Sequence, residues 1–244
     1  MPLDLLAFGP HPDDLEIGLG GTIALHTAAG WRVGLCDLTR GEMGSNGTPE
    51  ERLREAEDAR VVLGADWREN LGWPDRGITG GREQLDQVTR LVRRWQPRVV
   101  AIPYWQDRHP DHVAASRVLT EAIFNSRLRR YAVEGDAWAP DWVCYYFIND
   151  HGPISFAIDV SAHYDVKRRA LECYRSQFMP EGPGSVDTRL TAPTFARLIS
   201  SRDAQFGALA GVQYAEGLVV KEPVLRPSLL KDWAAQPAPR PDRR

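Results

Sequence analysis

Short apolar runs that stop at turn residues, each followed by a stretch of helical periodicity, recur through the first half of this sequence. Leu3–Phe8 is such a run; it stops at Gly9-Pro10, and a helical stretch follows from about Ile17 to Ala29. Runs of this kind are what strands buried on both faces of a parallel sheet require. Trp31–Leu38 and Val99–Pro103 read as two more, each followed by polar loop residues and then a helix. Thr48-Pro49-Glu50-Glu51 combines an N-cap Thr, Pro at the first helical position and Glu at the third, and Leu53, Ala56, Ala59 and Leu63 line one face before Gly64. Leu85, Val88, Leu91, Val92 and Trp95 stripe the next helix, which ends at Pro97. This alternation predicts an α/β fold, a Rossmann-like three-layer α/β/α arrangement with a mostly parallel sheet.

The second half changes character. Trp142–Asn149 and Ser155–Val160 read as neighbouring antiparallel strands, so the sheet is expected to become mixed toward the C-terminal half, and Val166, Ala170, Leu171 and Tyr174 stripe another helix. No repeat or long linker divides the chain, so a single domain is expected over 1–222, followed by a Pro-rich tail over 223–244. With 244 residues, 43% hydrophobic and 26% charged, the chain has the composition of a globular protein with a sizeable core. A formal net charge of −3 gives no reason to expect nucleic acid as a partner. No apolar stretch is long enough to span a membrane, and the N-terminus lacks a signal-peptide pattern. Cys36, Cys144 and Cys173 are odd in number and widely spaced, which argues against a disulfide framework and for a reducing, cytoplasmic setting.

Two loops carry the chemistry. Gly9-Pro10-His11-Pro12-Asp13-Asp14 follows the first expected strand, at the carboxyl end where open parallel sheets hold ligands. An imidazole and a carboxylate three residues apart can converge on one cation while the adjacent carboxylate stays free for proton transfer. The competing reading is a polar turn in which Asp13 or Asp14 merely caps the helix. Asp107-Arg108-His109-Pro110-Asp111-His112 follows the strand Val99–Pro103, so two βα loops deliver acid and imidazole groups to one edge. Together they hold three of the chain's six histidines. A two-His, one-carboxylate set with an open position suits hydrolytic zinc; it also suits non-haem iron, so ligand type leaves the metal open.

The pair His11-Pro12-Asp13-Asp14 and His109-Pro110-Asp111-His112 resembles the LmbE-like or PIG-L-like family of zinc-dependent deacetylases acting on N-acetylglucosaminyl conjugates, over roughly Leu3–Lys221. Within it the chain looks most like the branch that deacetylates N-acetylglucosaminyl L-malate in bacillithiol biosynthesis. That likeness rests on Cys36–Glu42, Ser45–Thr48, Pro74–Gly77, Ser176–Phe178 and Tyr214–Gly217. The resemblance implies one Zn2+ per chain on His11, Asp14 and His112, with other divalent metals also compatible. It makes Asp13 the general base and His109 a cation that stabilises the oxyanion, with Asp111 orienting His109 from behind. It further implies a homo-oligomer, commonly a hexamer, and a small-molecule glycoside as substrate. Two positions depart from the wider family: Asp107 stands where some members carry Tyr, and Pro10 where Ala or Gly is common.

Because a malate glycoside carries two carboxylates, Arg52 and Arg108 are candidate substrate-binding guanidinium groups. Glu42 and Ser45, in the loop after the second strand, are candidates for the sugar hydroxyls. His26, His151 and His163 lie outside both loops and read as surface or packing residues. Two alternatives accompany the deacetylase reading. One is a sibling deacetylase or amidase acting on another GlcNAc or thiol conjugate. The other is a non-catalytic module binding a nucleotide through Gly18-Leu19-Gly20-Gly21, although that run falls inside a helix, where close packing explains it better.

Overall fold

The structure, a computed structural model, describes residues 2–223. Its strands are β1 (Leu5–Gly9), β2 (Val33–Thr39), β3 (Trp67–Trp73), β4 (Val99–Pro103), β5 (Trp142–Tyr146), β6 (Phe156–Asp159) and β7 (Ala215–Val219). They form one sheet in the order β3-β2-β1-β4-β5-β7-β6. β1 to β5 pair in parallel, and β7 runs antiparallel to both of its neighbours. The helices are α1 (Asp14–Ala28), α2 (Pro49–Leu63), α3 (Arg82–Trp95), α4 (Pro110–Ser126), α5 (Tyr164–Glu172), α6 (Arg175–Phe178) and α7 (Pro193–Ala210). The expected α/β class and mixed sheet are what is found. Apart from Pro223, the expected tail lies outside the described residues.

Side-chain alternation along β1 builds the two layers. Leu6 and Phe8 pack with Leu85, Val88, Leu91 and Val92 of α3 and with Ala115, Val118 and Leu119 of α4. Leu5 and Ala7 face the other way, into a cluster with Leu15, Leu19 and Ile23 of α1 and Ala56, Ala59 and Leu63 of α2. Burying one such Leu or Ile stabilises the fold by roughly 1.5–3 kcal/mol. The start of α2 forms as its sequence implies: the Thr48 hydroxyl accepts the Glu51 N–H, Pro49 occupies the first turn, and Gly64 ends the helix at φ 72°.

Several expectations need correction. β1 and β2 begin later than Leu3 and Trp31; Trp31 is 47% exposed and stacks under Arg98 instead of entering the sheet. α1 begins at Asp14, not near Ile17, because a left-handed Asp13 turns the chain abruptly into the helix. β3 was not anticipated: it is an edge strand with Arg68, Glu69 and Asn70 at its centre and carries no apolar run. β5 and β6 are not partners. β5 continues the parallel sheet beside β4, and β7, after the long excursion through α5 to α7, enters between them.

The buried face of α5 also holds a surprise: Lys167 is fully buried, its Nζ 2.6 Å from Asp203 and 2.7 Å from Glu216. Glu216 in turn accepts the N–H groups of Gly21 and Thr22 at 2.9 and 2.7 Å. Arg202 pairs with Asp203 and donates to the carbonyls of Ile17, Phe147 and Ile148.

The glycine run in α1 is a packing surface. A Cβ at Gly18 would collide with the Tyr146 ring, and one at Gly21 would lie 2.7 Å from Val160. The run is therefore walled in by side chains and leaves no room for the nucleotide of the alternative reading. Gly18→Ala is expected to cost about 1–3 kcal/mol by overpacking; an unchanged urea midpoint would contradict this close approach.

Candidate active site

Strand order reverses between β1 and β4, the topological switch point where α/β sheets open a crevice. The His11 loop follows β1 and the His109 loop follows β4, so both motifs reach this crevice. Asp13 has φ 109° and ψ −26°, a strained conformation for a non-glycine residue that costs of the order of 1–3 kcal/mol. It stands at the N-cap of α1 yet its side chain makes no capping bond. This answers the capping alternative for Asp13: the carboxylate points elsewhere, to Arg52, whose Nη2 donates to Oδ2 at 3.1 Å.

His11 Nδ1 and His112 Nε2 lie 3.1 and 3.3 Å from the same oxygen, Oδ2 of Asp14. The ring of His109 stacks on His112 with centroids 4.6 Å apart and meets His11 edge-on at 4.9 Å. Each donor imidazole has a carboxylate on its far nitrogen. His112 Nδ1 is 3.1 Å from Asp107, and His11 Nε2 is 3.3 Å from Asp75 and 3.4 Å from Asp111. His11, Asp13, Asp14, Asp111 and His112 are buried, whereas His109 is half-buried.

Charge in the pocket is set by burial and by these neighbours. Burial pushes the Asp13 carboxyl up to about 7 against the opposing pull of the Arg52 guanidinium. Burial also acts on Asp14, but His112 and His11 outweigh it and hold the carboxyl well below its ordinary value. Burial would lower His112, yet Asp14 and Asp107 raise it to about 9. For His109, burial and then the positive charge of His112 and His11 push the value down.

A divalent cation fits this donor set. Two imidazole nitrogens converge on one buried carboxylate oxygen, and Asp13, Asp14, Asp75, Asp107 and Asp111 outnumber the guanidinium groups of Arg52 and Arg76 that pair with them. Nitrogen atoms of His11, His109 and His112 also lie within 4.8 Å of one another, as do ligand atoms of His11, Asp75 and Asp111. N,N,O sets of this kind are typical of hydrolytic zinc.

The structure redirects several expected roles. Asp111 was expected behind His109, but its carboxylate engages His11 and Arg76, and only its backbone N–H reaches His109 Nδ1, at 3.2 Å. An Nδ1 that accepts a hydrogen bond assigns His109 as the neutral Nε2–H tautomer, not the expected cation. Arg52 is buried; besides Asp13 it donates to the carbonyls of Gly41 and Pro12, so it backs the acid instead of lining an open cleft. Gly41 permits this, since a Cβ there would collide with Nη1 of Arg52. Glu42 accepts the Asp75 N–H at 2.7 Å, and Ser45 and Arg108 are exposed. Asp75 and Arg76 were not singled out as site residues. Pro74-Asp75-Arg76-Gly77 was noted only for its resemblance, because β3 has no apolar signature to mark the loop after it as a third βα loop.

Comparison with known proteins places the chain in a family. The model of the PIG-L family, described as GlcNAc-PI de-N-acetylase, matches residues 6–123, which include both motifs. Diacetylchitobiose deacetylase of Thermococcus kodakarensis is 30% identical over 88% of this chain and 81% of its own length. The chain belongs to the PIG-L family. A 1D-myo-inositol 2-acetamido-2-deoxy-alpha-D-glucopyranoside deacetylase of Saccharomonospora viridis is 29% identical over 68% of this chain and 82% of its own. Among solved structures, the conserved protein TT1542 from Thermus thermophilus superposes with a TM-score of 0.85 at 41% identity, covering 94% of this chain and 99% of that one. As a PIG-L member the chain is an enzyme that hydrolyses an N-acetyl amide. No helix among its described residues is long and apolar enough to cross a membrane.

Proposed function

We propose that this PIG-L enzyme releases acetate from an N-acetylglucosaminyl conjugate, with zinc held by His11, Asp14 and His112. The observation that carries the reading is the convergence of His11 Nδ1 and His112 Nε2 on Asp14 Oδ2, beside a buried Asp13 carboxylate that Arg52 holds at 3.1 Å. Bound there, zinc would supply a Lewis acid that polarises the amide carbonyl and makes water acidic near neutral pH. Asp13 takes the proton of the attacking water and returns it to the leaving amine, and Arg52 holds its carboxylate in place. With Nδ1 accepting from the Asp111 N–H, half-buried His109 keeps Nε2–H to donate to the carbonyl oxygen as negative charge builds there. Asp75 and Asp111 steady the His11 ring from its far side.

Within this reaction, the malate conjugate is the substrate we favour. The resemblance to the malate-deacetylating branch supports it, and so does the placement of Arg108, exposed beside His109, and Arg76, whose side chain is 48% exposed while it pairs with Asp111. Both could meet a carboxylate. Acetate release from GlcNAc-malate, diacetylchitobiose and free GlcNAc separates the levels of the proposal. GlcNAc-malate is expected to show a kcat/KM at least about tenfold above the others, about the effect of one charge-assisted contact. A preference for chitobiose would remove the malate assignment and keep the deacetylase; no release from any of the three would remove both.

A further inference from the structure

Asp107 stands two residues before His109, in the loop between β4 and α4, and its side chain is 4% exposed. Oδ1 accepts the His109 N–H at 2.7 Å and an Asn149 Nδ2 hydrogen at 3.1 Å, and lies 3.1 Å from His112 Nδ1. Oδ2 accepts the N–H groups of Asn149 and Asp150 at 3.0 and 3.4 Å. We infer that Asp107 is a positioning residue for His112: it accepts the Nδ1 hydrogen, so the proton that a metal displaces is the one on Nε2, the nitrogen that faces Asp14 and the metal position.

The alternative is built into the same contact. Asn149 Nδ2 is itself 3.4 Å from His112 Nδ1. Were that nitrogen bare, Asn149 would donate to it, the ring hydrogen would move to Nε2, and Nε2 would be lost as a ligand. An ionised carboxylate can only accept, and Asp107 is the nearer group, so it decides the tautomer and draws the Asn149 hydrogen to itself. Asp107 is thus committed to holding a neighbour, and donation to the substrate carbonyl falls to His109. Position 107 also ties His112 to the segment after β5, which Arg202 anchors through the carbonyls of Phe147 and Ile148.

The inference rests on His112 being a metal ligand, so its test measures metal as well as turnover. Wild type, Asp107→Asn and Asn149→Ala are stripped of metal, and zinc affinity is measured by competition with a chromophoric chelator. Thermal midpoints of the metal-free proteins and kcat and KM of the reloaded ones accompany it. Asp107→Asn is expected to raise the zinc Kd about 10- to 100-fold and to lower kcat with KM within about twofold. Asn149→Ala keeps the Asp107–His112 contact, so its Kd should stay within about threefold of wild type even where its thermal midpoint drops. Wild-type zinc affinity in Asp107→Asn, or equal weakening in both variants, would make Asp107 a loop tie only and overturn the inference. Wild-type protein that holds no zinc would overturn the metal reading itself, and this inference with it.

Discussion

Asp13→Asn is expected to lower kcat by about 10²- to 10⁴-fold, the usual contribution of a positioned general base, with KM and metal content close to wild type. Asn has the size and shape of Asp and can still accept from Arg52, whose other hydrogen bonds go to the carbonyls of Pro12 and Gly41. The pocket should therefore survive, while the group that takes and returns the proton is gone. A loss confined to the proton-transfer step lowers kcat and kcat/KM together. Acetate release under saturating and limiting substrate, with metal measured on the same samples, gives the answer. Near-wild-type turnover would show that Asp13 is not the base; loss of the metal would assign Asp13 to the ligand set.

The second large effect concerns stability. Lys167→Met removes the cation between Asp203 and Glu216, both of which are almost wholly excluded from solvent. Removing one partner of a buried ion pair strands the other charge and typically costs about 3–5 kcal/mol, a large share of the total for a domain. Arg202 remains beside Asp203, and the N–H groups of Gly21 and Thr22 remain on Glu216, so the loss should fall at the lower end of that range. Urea denaturation should show the midpoint falling with little change in slope. A loss below about 1 kcal/mol would mean that the neighbouring donors compensate the two acids without Lys167.

The two candidate loops could be read from the sequence because their information is local. His11, Asp13 and Asp14, like His109, Asp111 and His112, are fixed by short spacings after recognisable apolar strands. Contacts made across the fold could not be read in the same way. Arg52 was visible on a well-capped helix, but whether it faces solvent or Asp13 depends on how α2 packs beside the loop before α1. Asp111 was visible too, yet its partner turned out to be His11, 100 positions away, together with Arg76 on the loop after β3, a strand without an apolar signature. β7 escaped for a topological reason: five residues carrying Glu216 and Gly217 have no strong strand pattern, and insertion between β5 and β6 leaves no mark on either. The role of Glu216 was hidden with it.

That insertion has a consequence for how the molecule is made. β6 sits at the sheet edge, and its neighbour in the sheet is β7, which emerges from the ribosome later by the whole stretch from Ser161 to Tyr214. At roughly 5–20 residues per second, several seconds pass during which β6 has no strand to pair with and Lys167 has been made without Glu216. The parallel half from β1 to β5, which carries both candidate loops, can assemble in that interval, but α1 waits for Gly21 and Thr22 to be gripped. Synthesis thus brings the candidate site first and its clasp last, and a nascent chain halted before Ala215 would hold all the proposed catalytic side chains while still exposing an open sheet edge to its neighbours on the polysome.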